Sequence, residues 1–240
     1  MISISRWFNA DGSEAEMCGN GARCAVALAK QLGIIKNTAV FLAKDSAHEG
    51  RIDPDNNFVE IKMLDVVNKI EVEPDGSCVL HTGVPHYVQF VCDLNKINIV
   101  SEARKIRYNE KFKDIGINVN FVSTENVVGE QQALVTQDSV TRINATQNNT
   151  SNYSIKVFTY ERGVEDETLA CGTGATASAI AFFFRKKEKE RPLIVAERGV
   201  SIVVSMKGGE LVVSFDYVNS TFANVFLSGP AKFVFEGKIR

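Results

Sequence analysis

Nowhere in the 240 residues is there an apolar run long enough to cross a bilayer. The widest, residues 175–184, is half a span. No stretch near the start reads as a signal peptide or anchor, so neither a membrane nor a secretory route is expected. The Asn-x-Ser/Thr triplets at Asn144, Asn148 and Asn149 then carry no meaning as glycosylation sites. Charge of one sign is also missing: 27 Lys and Arg face 29 Asp and Glu, and no basic tract is interleaved with aromatics. The richest, residues 185–191, is cut by glutamates and follows a helical pattern, where cations complement the helix dipole. Nucleic acid is therefore not an expected partner. Cysteine is scarce and unpaired in pattern. Cys18, Cys24, Cys78, Cys92 and Cys171 are an odd number, with neither the ladder of a disulfide scaffold nor the close pairs of a zinc site. No metal is expected, and the expected compartment is a reducing cytoplasm. The 45% of hydrophobic residues supplies a core for one large domain or two compact lobes.

Against these absences one local pattern occurs twice. Cys18-Gly19-Asn20-Gly21-Ala22-Arg23 and Cys171-Gly172-Thr173-Gly174-Ala175-Thr176 each end a polar turn and open an Ala-rich run. The glycines let the backbone N–H groups of a helix N-terminus crowd around an anion, and the cysteine sits at the positive end of the dipole. After Cys18, apolar positions 22, 25, 26, 29 and 32 recur at helical spacing until Gly33 stops them. After Cys171 a helix is expected over residues 173–185, with Ala175, Ala179, Ile180 and Phe183 on one stripe.

Most of the remainder has strand grammar. Residues 1–8, 39–42, 58–63, 69–72, 77–81, 86–92, 117–122, 154–158, 193–196, 201–206, 211–215, 221–227 and 232–235 read as strands, and Lys207-Gly208-Gly209-Glu210 as a hairpin turn. Residues 99–111 are charged, with apolar positions too sparse for a deep core, so an exposed helix or arm is expected. Residues 131–152 are the least core-like and read as a polar hairpin or loop. The class is α+β with mostly antiparallel sheet. The context of each cysteine also repeats, with a phenylalanine, a polar turn, acidic residues, the cysteine and then a helix. That pattern indicates two pseudo-symmetric lobes. Only seventeen residues precede Cys18, so the first lobe is expected to lack its opening strands.

A thiol of pKa ~8.5 is mostly protonated at neutral pH, and a helix N-terminus brings it into working range. With two helix N-termini aimed at one cleft, the Gly-Asn-Gly and Gly-Thr-Gly amides can hold a carboxylate between two sulfurs. One thiol then removes the α-proton and the other returns a proton to the opposite face, which needs no cofactor. Either motif alone is better read as a buried cysteine beside a structural turn; two copies at equivalent points reverse that reading. Cys24, Cys78 and Cys92 lack neighbouring glycine nests and stay with the core. Asn9 and Asn118 are ordinary turn or strand residues unless a ligand needs them. Glu161-Arg162, just before Cys171, is either a surface ion pair or an orienting pair for a zwitterion. His86, one of three histidines, either tunes a thiol or is structural.

These residues closely resemble those of the diaminopimelate epimerase family. The resemblance is carried by Phe8-Asn9-Ala10-Asp11-Gly12-Ser13-Glu14, Cys18-Gly19-Asn20-Gly21-Ala22-Arg23-Cys24, Pro85-His86, Asn118, Tyr160-Glu161-Arg162-Gly163, Glu167-Thr168-Leu169-Ala170-Cys171-Gly172-Thr173-Gly174 and Gly229-Pro230-Ala231. It implies cofactor-independent, two-thiol epimerisation of LL-diaminopimelate to the meso form in lysine biosynthesis, commonly by a homodimer. The implied fold is two similar lobes, each a mostly antiparallel sheet wrapped on a central helix. By the resemblance Cys18 and Cys171 are the acid/base pair, His86 and Glu161 lie near the thiols, and Asn9, Gly19, Asn20, Asn118, Glu161, Arg162, Gly172 and Thr173 bind the amino-acid substrate. Because the family's last strand returns to the first lobe, residues 1–64 plus 229–240 are expected in lobe one and 65–228 in lobe two.

Three departures accompany the resemblance. The family's usual opening strand pair, with its His-Gly-x-Gly-Asn-Asp-Phe-like segment, has no counterpart in these residues. Val84 stands where many relatives carry a polar residue before Pro85-His86, and residues 131–152 look inserted. Two other functions therefore stand beside the leading one: a catalytically impaired remnant acting as a binding or oligomerisation module, and a racemase of another amino acid.

Overall fold

The computed structural model describes residues 2–4, 6–8, 12, 14–15, 17–44, 46–55, 58–67, 70–124, 152–189 and 196–238. Asn9, nearly all of the polar 131–152 stretch and most of the expected 193–196 strand lie outside the described residues.

Along the chain come β1 (Ile2–Ile4), β2 (Trp7–Phe8), β3 (Glu14–Ala15), helix α1 (Gly19–Gln31), β4 (Thr38–Leu42), β5 (Ala47–Ile52) and β6 (Phe58–Lys62). Then follow β7 (Glu71–Val72), β8 (Cys78–His81), β9 (Pro85–Val91), helix α2 (Ile99–Arg107), β10 (Asn118–Ser123), β11 (Asn152–Glu161) and β12 (Asp166–Thr168). Helix α3 (Gly172–Lys189) leads into β13 (Ala196–Met206), β14 (Gly209–Val218) and β15 (Thr221–Pro230). One 13-stranded sheet runs in the order β1-β4-β5-β6-β15-β14-β13-β11-β10-β9-β8-β7, with β12 on β11 and β2–β3 a separate pair. Pairing is antiparallel except at β1/β4, β9/β10 and β11/β13. The structure is thus α+β and mostly antiparallel, as the sequence indicates. The Lys207-Gly208 turn closes the β13–β14 hairpin, with Met206 opposite Gly209.

The sheet bends around α3. Residues 172–183 of this helix are buried without interruption, where the sequence pattern indicates a single stripe. The reason is side-chain size. Gly, Ala, Ser and Thr occupy most of these positions, so strands approach the helix from several sides, and a helix with no polar face is one that sits inside a core. Thr176 returns its hydroxyl to Gly172 O at 3.0 Å, which removes the cost of burying it. At the far end Phe183 meets Tyr153, Phe215, Tyr217 and Phe222 edge-on, with ring centroids 5.4–6.5 Å apart.

Helix α1 lies on β5, β6 and β15 and buries Gly19, Ala22, Arg23 and Val26. Strand β5 carries no apolar alternation in its sequence and was not an expected element. Its inward positions are His48, Gly50 and Ile52. His48 Nδ1 bonds Lys62 O at 2.9 Å and its ring stacks on Phe41 at 5.6 Å. Gly50 admits Val26 of α1, whose Cγ2 would lie 2.5 Å from any Cβ there. A glycine and a hydrogen-bonded histidine thus take the place of two apolar residues.

Residues 99–107 of the expected exposed helix or arm form helix α2, which is less detached from the core than expected. Its Ile99 and Ala103 join Leu94, Phe112, Ile117, Phe121, Phe158 and Tyr160 in a second hydrophobic cluster. Neighbours along the same strands, Val122 and Val157, face the α3 core instead, so the two-residue period of β10 and β11 feeds two cores at once. The expected strand at residues 232–235 is a further correction. Residues 231–238 are irregular, because an extended segment becomes a strand only by pairing its backbone with another, and none of the described strands pairs with it. Phe233, Val234 and Phe235 are 58%, 83% and 80% exposed, and Leu28 on the outer face of α1 and Leu32 at its C-cap are 52% and 63% exposed.

Truncating the central ring, Phe183→Ala, is expected to lower unfolding free energy by about 3–5 kcal/mol, whereas Val234→Ser on the exposed tail should change it by about 0.5 kcal/mol or less. Urea denaturation followed by circular dichroism measures both, and equal effects would contradict this picture of the core.

Candidate functional site

Each cysteine caps its own helix. Cys18 precedes α1 in extended geometry and its Sγ accepts from Gly21 N at 3.4 Å; Cys171 Sγ accepts from Gly174 N at 3.3 Å before α3. This is the role usually filled by a serine or aspartate oxygen, and it points the sulfur at the positive end of the dipole. The two helix starts touch. A Cβ built on Gly19 would lie 3.4 Å from Gly172 Cα, and one built on Gly172 would lie 3.3 Å from Gly19 Cα. Only residues without side chains permit that approach. Asn20 locks it, donating from Nδ2 to Ala170 O at 3.0 Å while its Oδ1 accepts from Arg23 Nη2 at 2.7 Å.

The two thiols sit in different surroundings. Cys18 is half-buried and Cys171 buried. Burial first, then the neighbouring Glu161 carboxylate, pushes the Cys171 thiol up to about 12, against the opposing hydrogen bonds from Thr173 and Gly174 N. Glu161 is itself raised by burial, and its hydrogen bonds from Thr168 and Cys171 oppose the rise. On the other helix, Arg23 is a buried guanidinium within electrostatic reach of Cys18. It bonds Gly19 O at 3.3 Å as well as Asn20.

The turn after β11 brings Arg162 to the same sheet end. Asn118 Oδ1 accepts from Arg162 N at 2.8 Å, and Arg162 Nη1 donates to Ile115 O at 2.9 Å over Gly116. Helix α2 clamps this turn from outside. Glu165, in the left-handed region at φ 57°, accepts from both Tyr108 Oη and Tyr160 Oη at 2.8 Å and pairs with Arg107. A glutamate in that conformation is strained, and these partners hold it there.

The family model for diaminopimelate epimerase matches residues 78–234. A diaminopimelate epimerase of Flavobacterium psychrophilum is 40% identical over 233 residues, covering 97% of this chain and 77% of that protein. One of Aquifex aeolicus is 37% identical over 239 residues, covering 97% and 73%. The chain belongs to the diaminopimelate epimerase family. It is accordingly an isomerase of the epimerase type. Among solved structures, a hydroxyproline epimerase from Agrobacterium vitis superposes with a TM-score of 0.59 at 13% identity, covering 94% of this chain and 66% of that one. A phenazine biosynthesis PhzF family protein of Enterococcus faecalis gives 0.53 at 14% identity, covering 95% and 75%. Those two likenesses are of fold.

Of the site residues expected from sequence, the fold of this epimerase family member brings Cys18, Gly19 and Asn20 against Cys171, Gly172 and Thr173. Glu161 lies beside Cys171, and Asn118 and Arg162 are joined to each other. His86 is fully buried, opposite Asn118 in the β9–β10 ladder. Asn9 lies outside the described residues. Three residues escaped the sequence reading: Asn120, which bonds His86; Thr168, which bonds Glu161; and Arg23, which ties Asn20. Arg23 stands inside the first motif and Thr168 inside the stretch that leads to Cys171, so both carried a signal; Asn120 stands in ordinary strand sequence and carried none. Among the described residues no group of three His, Cys, Asp or Glu could hold a metal ion, and no helix is long and apolar enough to cross a membrane.

Gly172→Ala tests the helix contact. Its Cβ would meet Leu227 Cδ2 at 2.7 Å and Gly19 Cα at 3.3 Å; the leucine can turn aside, but the backbone of α1 has to move. A fall in epimerase turnover of about 100-fold with little loss of thermal stability is expected, and unchanged turnover would show that the contact does not matter. A second outcome concerns pH. Burial, then the charges of His81 and Arg162, lowers His86 from 6.5 to about 3. The unfolded chain therefore binds a proton that the native state refuses. Its stabilising contribution is complete above pH 6.5 and is lost as pH falls toward 3, with a slope of about 1.4 kcal/mol per pH unit. Denaturation across that range should show this slope diminished in His86→Gln.

Proposed function

We propose that this chain epimerises LL-diaminopimelate to the meso form, with Cys18 and Cys171 as a pair of acid/base thiols and no cofactor. The observation that carries the reading is the contact of two cysteine-capped helix starts at Gly19 and Gly172. In each first turn the capping sulfur takes one amide, of Gly21 or Gly174. The preceding amides, those of Gly19–Asn20 and Gly172–Thr173, have no intrahelical acceptor and are the groups to hold the substrate's α-carboxylate. A carboxylate held there sets the α-carbon between the sulfurs, and the converging dipoles stabilise negative charge developing on removal of the α-proton.

The unequal burial of the thiols supports one resting state. Cys171, raised to about 12 beside Glu161, rests as a protonated thiol and is the donor for the first turnover. Cys18, less buried and near the Arg23 guanidinium, is the base. After inversion the proton has passed from the substrate to Cys18 and from Cys171 to the substrate, so the reverse reaction starts with the roles exchanged. The bond from Asn118 Oδ1 to the Arg162 amide leaves the Asn118 NH2 and the outer guanidinium N–H groups for the substrate's distal amino-acid group, with Asn9 as a further contact. Residues 1–64 plus 229–240 and residues 65–228 act as the two lobes that carry these groups. By the family resemblance the enzyme serves lysine biosynthesis in the cytoplasm as a homodimer.

One observation favours a second reading. Leu28, Leu32, Phe233, Val234 and Phe235 are each more than half exposed, the kind of surface an impaired remnant would use as a binding or oligomerisation module. Incubation with LL-diaminopimelate in deuterated water separates the two. Deuterium should enter the α-position, and Cys18→Ala or Cys171→Ala should each slow inversion by about 10²–10⁴-fold. No exchange by the unmodified chain favours the remnant; inversion surviving both substitutions eliminates the two-thiol mechanism. Exchange into a different amino acid, and not this one, would instead make the chain a racemase of that substrate.

A further inference from the structure

The buried polar network behind the start of α3 is built on Asn120, a residue that neither the motifs nor the reaction brought forward. Its Nδ2 lies 3.1 Å from Tyr87 O and 3.0 Å from His86 Nδ1, and its Oδ1 accepts from Thr159 Oγ1 at 2.9 Å. Asn120, Thr159 and His86 are all 0% exposed. A backbone carbonyl can only accept, so the atom facing Tyr87 O has to be the NH2 group, which settles the orientation of the amide. That NH2 group also faces His86 Nδ1, which must then be an acceptor without a hydrogen. In a neutral imidazole the proton is left on Nε2. His86 Nε2 is buried and has no hydrogen-bond partner among the described residues.

The network is also fitted to the second cysteine motif. A Cβ on Gly174 would fall 2.5 Å from Asn120 Oδ1, so the residue whose amide bonds Cys171 Sγ sits directly on this asparagine. His86 itself pairs with Asn118, the residue that holds the Arg162 amide.

We propose that Asn120 is a positioning residue that locks His86 as a neutral imidazole with its hydrogen on Nε2, so that His86 serves the site only as a hydrogen-bond donor. The sole lone pair of such a ring is on Nδ1 and is taken by Asn120. His86 therefore accepts no proton from substrate or thiol, and proton transfer stays with the two cysteines. An imidazolium would place an Nδ1 hydrogen against the Asn120 NH2 group, adding to the burial that already opposes protonation. Nε2–H is left without an acceptor among the described residues. The statement about substrate and thiol rests on the epimerase reading, whereas the tautomer does not.

The test uses the full chain labelled with ¹⁵N-histidine, with the His86 signals assigned by comparison with His86→Gln. Long-range ¹H–¹⁵N spectra between pH 5 and 8 report directly which ring nitrogen carries the hydrogen and need no turnover. A bare Nδ1 and a protonated Nε2, unchanged across the range, are expected; an Nδ1–H ring or an imidazolium would overturn the proposal whether or not the chain proves to be an epimerase. Asn120→Asp replaces the donor facing Nδ1 with an acceptor. It should move the hydrogen to Nδ1, introduce a histidine ionisation into the pH profile of kcat/KM, and lower kcat by about tenfold, the equivalent of one hydrogen bond, with a smaller change in KM. A purely structural asparagine would alter stability but leave tautomer and pH profile as they were, and that result would overturn the assignment. If Asn120→Asp does not fold, the spectrum of the unmodified chain still decides.

Discussion

Two helix N-termini cannot come within van der Waals distance of each other if either carries a side chain at the point of contact. Gly19 and Gly172 meet that requirement, and most of the site depends on their doing so. Two dipoles with like ends together are mutually unfavourable, and the contact persists because something compensates. Part of the compensation is local: each cysteine sulfur satisfies one amide of its own helix, and Asn20 of α1 bonds the peptide ahead of Cys171. The remainder comes from the sheet, which holds both helices on strands that are continuous from β5 to β8 through β15. What is left, at each helix start, is a pair of first-turn amides without an intrahelical acceptor, the kind of group that suits an anion.

The sheet manages this because its second helix is made of small residues. A helix buried on all sides from Gly172 to Phe183 can be gripped by strands from several directions, so its position is set with little freedom. Helix α1 is held on one face and leaves Leu28 and Leu32 outside. The two thiols inherit this difference. Cys171 belongs to the buried side, where burial raises its thiol; Cys18 belongs to the more open side. The different surroundings of two chemically identical residues therefore follow from how each helix is packed.

Much of the candidate site was legible in the sequence because it consists of residues with special backbone requirements. Gly19, Gly21, Gly172 and Gly174 each face an atom that excludes a Cβ, and glycines beside a cysteine ahead of an Ala-rich run announce a helix start. The strand count was legible for a similar reason, since alternation survives wherever one face of a strand is apolar. It failed at β5, where His48 and Gly50 do the work of apolar residues, and at residues 232–235, whose apolar sequence finds no strand to pair with among those described. At α2 the helix was legible, but not the cluster of distant strands that its few apolar residues cover.

The sequence by itself determined the chemistry on offer: two cysteines at helix N-termini, an acidic residue and an arginine beside the second, and glycines that leave amides bare. These are local properties, set within a few residues by backbone conformation. Only the tertiary structure decided which groups share an environment. The contact of Gly19 with Gly172, the burial that raises the Cys171 thiol beside Glu161, and the bond between Asn120 and His86 all depend on the packed structure. Proximity and burial belong to the packed whole, and no spacing along the chain encodes them.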